Sequence, residues 1–379
     1  MQDTPERRLA AARSIARQAG ELAEETDRAR RIGPDAVKAI AEAGFMRHFT
    51  PVRFGGRAGG FGELLDTVPV IGAACPATAW CASLFAGSPR FLSFFPEEGQ
   101  AQVWADGPDA AVIASVIPFG EAVPEGDGLR VTGRWPYMSG IDHADWVIVC
   151  AKVPAADGGQ RLLLAVVPRS QCRVEDTWSS VGMRGTGSNT AVLEDVFVPA
   201  ARIADRAAAF AGRPADPAAV PPVAGLAPLP AVNGLTFVAP ALGAARGTLA
   251  LVTEALGGRS RAAAVPGIPG AAGNQASYDM LLARSAAEID AAGLLLGRVA
   301  ELADADRAPT PAETARNVRD SAFVVDTLVT AVNRLYRAAG TSGQVADGPL
   351  QRLWRDVNAI ATHQALQFEP AARLFAQTR

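Results

Sequence analysis

The hydrophobic period of this chain changes twice, and that ordering limits the possible folds more than any single motif does. Residues 5 to about 30 are rich in Ala, Arg, Glu and Leu, with Leu9, Ile15 and Leu22 at roughly helical spacing. Gly33-Pro34-Asp35 breaks that helix and restarts it, and Gly44 is placed to cap the second one. Short helices punctuated by Pro76, Pro89 and Pro96 continue to about Asp106, carrying Trp80, Phe85, Phe91, Phe94 and Phe95 as core or pocket aromatics. Between Ala110 and Pro199 the period shortens. Six strands are expected there, at 111–117, 129–137, 146–153, 162–167, 173–178 and 191–198, with E-G-D-G at 125–128 as one turn. Four helices close the chain, at about 235–257, 274–304, 311–339 and 349–376. The expected fold class is α+β: an N-terminal helical domain (1–109), a β-domain (110–205), an Ala/Pro-rich connection (206–234) and a C-terminal helical bundle (235–379).

Composition narrows the function. The 379 residues include 36 basic and 39 acidic side chains, a net charge of -3, which gives no reason to expect a nucleic-acid surface. The start, M-Q-D-T-P-E-R-R, does not resemble a signal peptide, and no run of about 18 apolar residues stands out, so a cytoplasmic protein without a membrane span is expected. Four cysteines without C-x-x-C spacing and three histidines point to neither a disulfide frame nor a metal centre. No G-x-G-x-x-G follows a strand, hence no nicotinamide site of its own is expected.

Gly133 to Val149, G-R-W-P-Y-M-S-G-I-D-H-A-D-W-V-I-V, differs in residue type from the surrounding Ala-rich chain. In an extended segment Tyr137 and Ser139 leave the same face, so one can pack on a flat ring while the other hydrogen-bonds its edge. These residues fit either a ligand wall or a plain hairpin with a sticky face. The G-T-G-S run at 185–188 is similarly either an anion-binding nest or a simple turn. His143, in a turn between Asp142 and Asp145, and His48, after Arg47, read as structural.

The order of elements, together with residues 133–146, V-G-M-R-G-T-G-S-N-T at 181–190, V-F-V-P at 196–199 and P-L-Q-R-L-W-R-D at 349–356, resembles the acyl-CoA dehydrogenase fold over nearly the full length. That resemblance implies a central antiparallel β-barrel or sandwich, with a flavin lying between it and the helices. It places Tyr137 beside the ring, Ser139 near N5, and Val116 and Ile117 on the preceding strand. The dehydrogenases carry a catalytic carboxylate about eight residues after an Arg-Asp pair; counting from Arg355-Asp356 gives His363 and Gln364, and an amide is no base. Dehydrogenation is therefore disfavoured.

What remains resembles the two-component flavin-dependent monooxygenases of the same fold. Within that group, 231–247 and 328–335 are most similar to aromatic polyketide hydroxylases of the actinorhodin-pathway kind. The resemblance implies reduced flavin from a separate reductase, O2 bound at C4a as a hydroperoxyflavin, an aromatic, polycyclic phenol or quinol as substrate, and a homotetramer. Ser139 would protect the hydroperoxyflavin, and His363, on the last helix, would assist phenol deprotonation. Trp80, Phe85 and Ser88 are the candidate substrate-pocket residues; related enzymes often carry a His where Ser88 stands. Arg261 corresponds to an Arg that reaches the flavin phosphate from a neighbouring subunit, and because the aromatic residue that follows it there is missing, FMN is favoured over FAD. A nitrogen or sulfur oxygenase and a non-catalytic flavin-binding subunit are the rival readings.

Overall fold

The computed structural model describes residues 4–155, 158–214, 227–261 and 275–378. The first expected helix is two, α1 (Pro5–Glu21) and α2 (Ala23–Ala29), meeting at Leu22. Helix α3 (Pro34–Glu42) stops as expected: Gly44 has a φ of +82°, and the next N–H, of Phe45, reaches back to the Ile40 carbonyl at 3.2 Å. Helices α4 (Phe61–Gly72), α5 (Pro76–Gly87) and α6 (Glu97–Val103) follow, with a 3₁₀ segment over Ser88–Phe94.

The β-domain is one eight-stranded sheet: β1 (Val112–Ala114), β2 (Gly120–Glu125), β3 (Gly128–Met138), β4 (Trp146–Pro154), β5 (Gln160–Pro168), β6 (Arg173–Glu175), β7 (Asn189–Pro199) and β8 (Ile203–Asp205). The order is β6-β7-β3-β2-β4-β5-β8, with β1 also on β4. Strands β2 and β8 were not expected. G-E-A-V-P-E has little intrinsic strand preference, and β2 owes its place to the two-residue turn at Gly126-Asp127, with Gly126 at φ +57°, which pairs it with β3.

Five of the seven pairings are antiparallel, whereas β1 and β2 both run parallel to β4. They are one extended path, Ala114 opposite Ile148 and Gly120 opposite Ala151, so Ser115–Phe119 must bow outwards over Val149 and Cys150. The expected strand 111–117 is thus cut short, and Val116 and Ile117 lie in the bowed loop. Trp135 anchors the sheet beneath, fully buried, its Nε1–H donating to the Cys150 carbonyl at 2.8 Å.

After α7 (Arg206–Phe210), α8 (Leu229–Arg261) crosses the whole molecule, flanked by α9 (Gln275–Ala303), α10 (Pro311–Ala339) and α11 (Pro349–Ile360). Residues 206–234, expected as a connection, therefore include α7 and the first residues of α8, and 215–226 lie outside the described residues. Leu229–Leu256 is long and apolar enough to cross a membrane, with a mean hydropathy of 1.5, yet 72% of that window is buried inside the protein. Asn233, Gly234, Thr236, Gly243, Gly247 and Thr248 interrupt it, so its sequence shows no unbroken apolar run of that length. Two of those glycines have a packing reason: a Cβ on Gly243 or Gly247 would overlap the Pro69 or Ala73 carbonyl of the α4 end.

The final expected helix is broken. Helix α11 ends at Ile360, and α12 spans Phe368–Gln377. Pro370 explains the restart: in a continuous helix its ring would meet the Leu366 carbonyl, and it has no N–H to give. His363 consequently lies in the connecting turn, with extended φ -62° and ψ 133°, and not on a helix as expected.

Candidate flavin and substrate site

Where the sheet meets the helices there is a cavity of about 980 Å³. Its walls come from α5, the Ser88–Phe94 segment, the bowed loop, the end of β3, the 178–188 loop, α7, the start of α8 and the turn after α11. Of the residues named from sequence, Val116, Ile117, Tyr137, Ser139, Trp80, Ser88 and His363 line it, as does Gln364. Phe85 does not. It is fully buried and packs beneath Gly140, a core position. Arg261 ends α8, and its side chain lies outside the described residues.

Tyr137 and Ser139 reach the cavity by a different route from strand alternation. The pairing of β3 with β7 shifts register between Trp135 and Met138, and Tyr137 has a φ of +64°, a left-handed conformation strained for an aromatic residue. This turns the Tyr137 ring out, 72% exposed, edge-on to Trp178 with ring centroids 6.3 Å apart, while Ser139 stays buried. Val181 at 78% exposure completes an apolar rim. A broad, apolar-walled opening with a few convergent polar groups suits a flat heteroaromatic ring, so the residues present fit a flavin.

Ser139 belongs to a chain of hydroxyls whose direction can be worked out. Trp80 Nε1–H donates to Ser139 Oγ at 3.0 Å; Ser139 Oγ is 2.7 Å from Ser188 Oγ; Ser188 Oγ is 2.6 Å from Thr186 Oγ1; and Thr186 Oγ1 donates to the Met183 carbonyl at 2.8 Å. Each hydroxyl has one proton. Thr186 uses its own on Met183, so Ser188 must donate to Thr186, and Ser139 to Ser188. Ser139 is left with one lone pair for Trp80 and one for the cavity. The G-T-G-S turn is therefore a source of hydroxyls; two of its N–H groups, on Thr186 and Gly187, already bond the Met183 and Arg184 carbonyls, against the nest reading. Ser188 and Thr186 escaped notice as partners because 49 residues separate Ser139 from Ser188. Below the turn, Met183 N–H donates to Asp356 Oδ1 at 2.6 Å, and burial pushes that carboxyl up to about 7.

His363 packs against Phe237, centroids 4.0 Å apart with the rings tilted by 36°, and meets Trp80 edge-on at 5.8 Å. Burial lowers its pKa to about 4, so the ring is neutral near pH 7. Its Nδ1 accepts from the Ala365 N–H at 3.2 Å, which places the proton on Nε2. The other two histidines are structural anchors: His143 Nε2 bonds the Ile32 carbonyl and His48 Nε2 the Gly60 carbonyl, both at 2.9 Å.

A sheet held between N-terminal helices and a C-terminal bundle, with a flat-ligand cavity at their junction, defines the acyl-CoA dehydrogenase-like flavoprotein class. Residues 235–368 match the family described as acyl-CoA dehydrogenase, C-terminal domain. The chain is 32% identical over 367 residues to the FADH2-dependent resorcinol hydroxylase, oxygenase component, of Rhizobium sp. (strain MTP-10005), covering 94% of this chain and 90% of that protein. Its fold is similar to the crystal structure of 3-HSA hydroxylase from Rhodococcus sp. RHA1, with a TM-score of 0.91, 29% identity and 98% and 96% of the two chains covered. XiaF from Streptomyces sp., solved with FADH2 and glycerol, gives 0.86 and 29%, covering 97% and 94%. The chain belongs to the oxygenase components of the flavin-dependent monooxygenases built on this fold.

Proposed function

We propose that this chain hydroxylates an aromatic substrate, a polycyclic phenol or quinol, using reduced flavin delivered by a separate reductase. The resorcinol, 3-HSA and p-hydroxyphenylacetate hydroxylases among its relatives favour a phenolic substrate, and the polycyclic preference comes from the resemblance of 231–247 and 328–335 to polyketide hydroxylases. When bound, reduced flavin supplies the activation of O2 and the transfer of one oxygen atom to the ring.

The observation that carries the proposal is the fixed polarity of Ser139. With its proton committed to Ser188, Ser139 can offer the cavity only an acceptor, suited to holding the proton on flavin N5. Loss of that proton is what would release the oxygen unused, as peroxide. Tyr137 and Trp178 would flank the ring, with Val116 and Ile117 along the bowed loop.

His363 takes a different role from the base expected of it. A neutral imidazole whose lone pair already accepts from Ala365 is a donor at Nε2; it would stabilise a phenolate oxygen by a hydrogen bond, the phenol's proton passing to solvent. No Asp or Glu lines the cavity among the described residues, which supports setting aside carboxylate-dependent dehydrogenation. The segment after Arg261 favours FMN, whereas a resorcinol hydroxylase and XiaF among the relatives are named with FADH2, and the reading requires a reduced flavin of either kind. Assembly as a homotetramer is part of the proposal, with Leu294 and Phe323 presenting exposed apolar side chains on α9 and α10.

Anaerobic titration of the protein with reduced FMN and reduced FAD, followed by admission of O2, tests this reading. Tight binding of one reduced flavin, with peroxide release slower than from free flavin, is expected. No binding of either would overturn it in favour of a non-catalytic role.

A further inference from the structure

The cavity has two chemically different ends. Trp80 and Met183 belong to one buried cluster, with Phe237 and Trp178 packed on it, and this end carries Ser139 and His363. Phe91, Phe94 and Leu229 belong to another, with Val116 and Phe210 packed on it, and this end carries two arginines, Arg90 and Arg206. No carboxylate lines the cavity among the described residues, and Arg206 at this end is suited to an anionic ligand.

Arg206 is held as a binding group would be. Its Nε donates to the Val116 carbonyl at 2.7 Å, and its guanidinium lies 3.9 Å from the Phe210 ring centroid. One edge and one face are fixed, and the Nη edge has no hydrogen-bond partner among the described residues, so that edge can take a ligand at little further entropic cost. The neighbouring carboxylate does not neutralise it: Asp205 accepts from Ala208 N–H at 2.9 Å and pairs with Arg161 at 3.4 Å. Arg90 is 3% exposed, donates to the Ala227 carbonyl and sits over the Phe61 and Phe94 rings at 5.8 and 5.7 Å.

We propose that Arg206 is an oxyanion-binding subsite that takes a carboxylate of the aromatic substrate, so that the enzyme prefers acidic phenols to neutral ones. This rests on the aromatic-hydroxylase reading and adds to it the charge class of the substrate. The carboxylate would lie at the arginine end, with the ring to be hydroxylated towards Ser139 and His363. A flavin phosphate has the same oxyanion chemistry, and the test separates the two.

The test is equilibrium dialysis of 4-hydroxyphenylacetate and of its uncharged isostere 4-hydroxyphenylacetamide against the anaerobic protein with reduced flavin, for wild type, Arg206→Met and Arg206→Lys. Wild type is expected to bind the acid about tenfold or more tighter than the amide, the range of a charge-assisted hydrogen bond. Arg206→Met should abolish that preference, and Arg206→Lys should restore part of it, which separates a lost charge from a disturbed fold. Equal binding of acid and amide by wild type, or an undiminished preference in Arg206→Met, overturns the proposal. So does a loss of FMN affinity in Arg206→Met without loss of riboflavin affinity, because the arginine would then serve the flavin phosphate. Dialysis reads binding alone, so a protein that prefers the acid through Arg206 but hydroxylates no phenol would refute the hydroxylase reading and leave this subsite standing.

Discussion

Ser188→Ala is the most informative single change, because it alters the direction of a hydrogen bond without touching Ser139, the residue proposed to meet the flavin. In the wild type Ser188 receives the Ser139 proton at 2.7 Å and passes its own to Thr186 at 2.6 Å. Alanine removes that acceptor while Trp80 still donates to Ser139 and Thr186 still donates to Met183. The freed Ser139 proton would then turn to the cavity, against the flavin N5–H from which Ser139 is proposed to accept a hydrogen bond. Loss of a neutral hydrogen bond is worth about 1 kcal/mol, roughly a fivefold change in a ratio of rates. Peroxide released per hydroxylated product, measured with reductase in excess, should rise about fivefold in Ser188→Ala and return towards wild type in Ser188→Thr. Flavin affinity, measured separately, should change much less. Ser139→Ala is a blunter test, since it also strands the buried Trp80 N–H, at about 1–3 kcal/mol. If Ser188→Ala binds flavin and couples as the wild type does, the polarity argument is wrong.

Asp356 gives a pH prediction on stability. Its folded pKa of about 7 lies above the unfolded value, so the stability it contributes is complete below about pH 4 and is lost as pH rises through 7. Urea unfolding between pH 5 and 8 should show wild type weakening relative to Asp356→Asn, by up to about 1.4 kcal/mol per pH unit, and parallel profiles would refute the assignment. For His363, whose pKa is held near 4, the kcat/KM profile should show no limb near 6.5 that disappears in His363→Gln. That variant, which keeps a donor, should retain about tenfold more activity than His363→Ala. Activity indifferent to both changes would favour a nitrogen or sulfur substrate, which needs no phenolate.

Residue types and order made the outline of this protein legible, while the features that shape its site are non-local. The change of period around Ala110 and Pro199 brackets β1 to β7, because alternating burial leaves a direct trace in sequence. Strand β2 leaves none, since its place comes from a turn and a partner. Tyr137 and Ser139 were recognisable as unusual neighbours, but the left-handed Tyr137 that separates their environments follows from a register shift against β7. The hydroxyl chain joins α5, the end of β3 and the 178–188 loop, which no sequence period connects. His363 was assigned to a helix because its neighbours carry a helical pattern; Pro370, seven residues later, was the available signal for the break. Arg206 lay in a stretch read only as a connection, where a lone arginine carries no pattern at all.

The central claim is that this chain transfers an oxygen atom from O2 to an aromatic ring. The direct measurement is turnover under ¹⁸O2 with a flavin reductase, NADH and a panel of acidic and neutral phenols, read by mass spectrometry of the products. One ¹⁸O atom in a ring-hydroxylated product, with peroxide falling as that substrate is added, is the predicted result. Products carrying oxygen from water, or a protein that binds reduced flavin and yields only peroxide with every phenol, would contradict it.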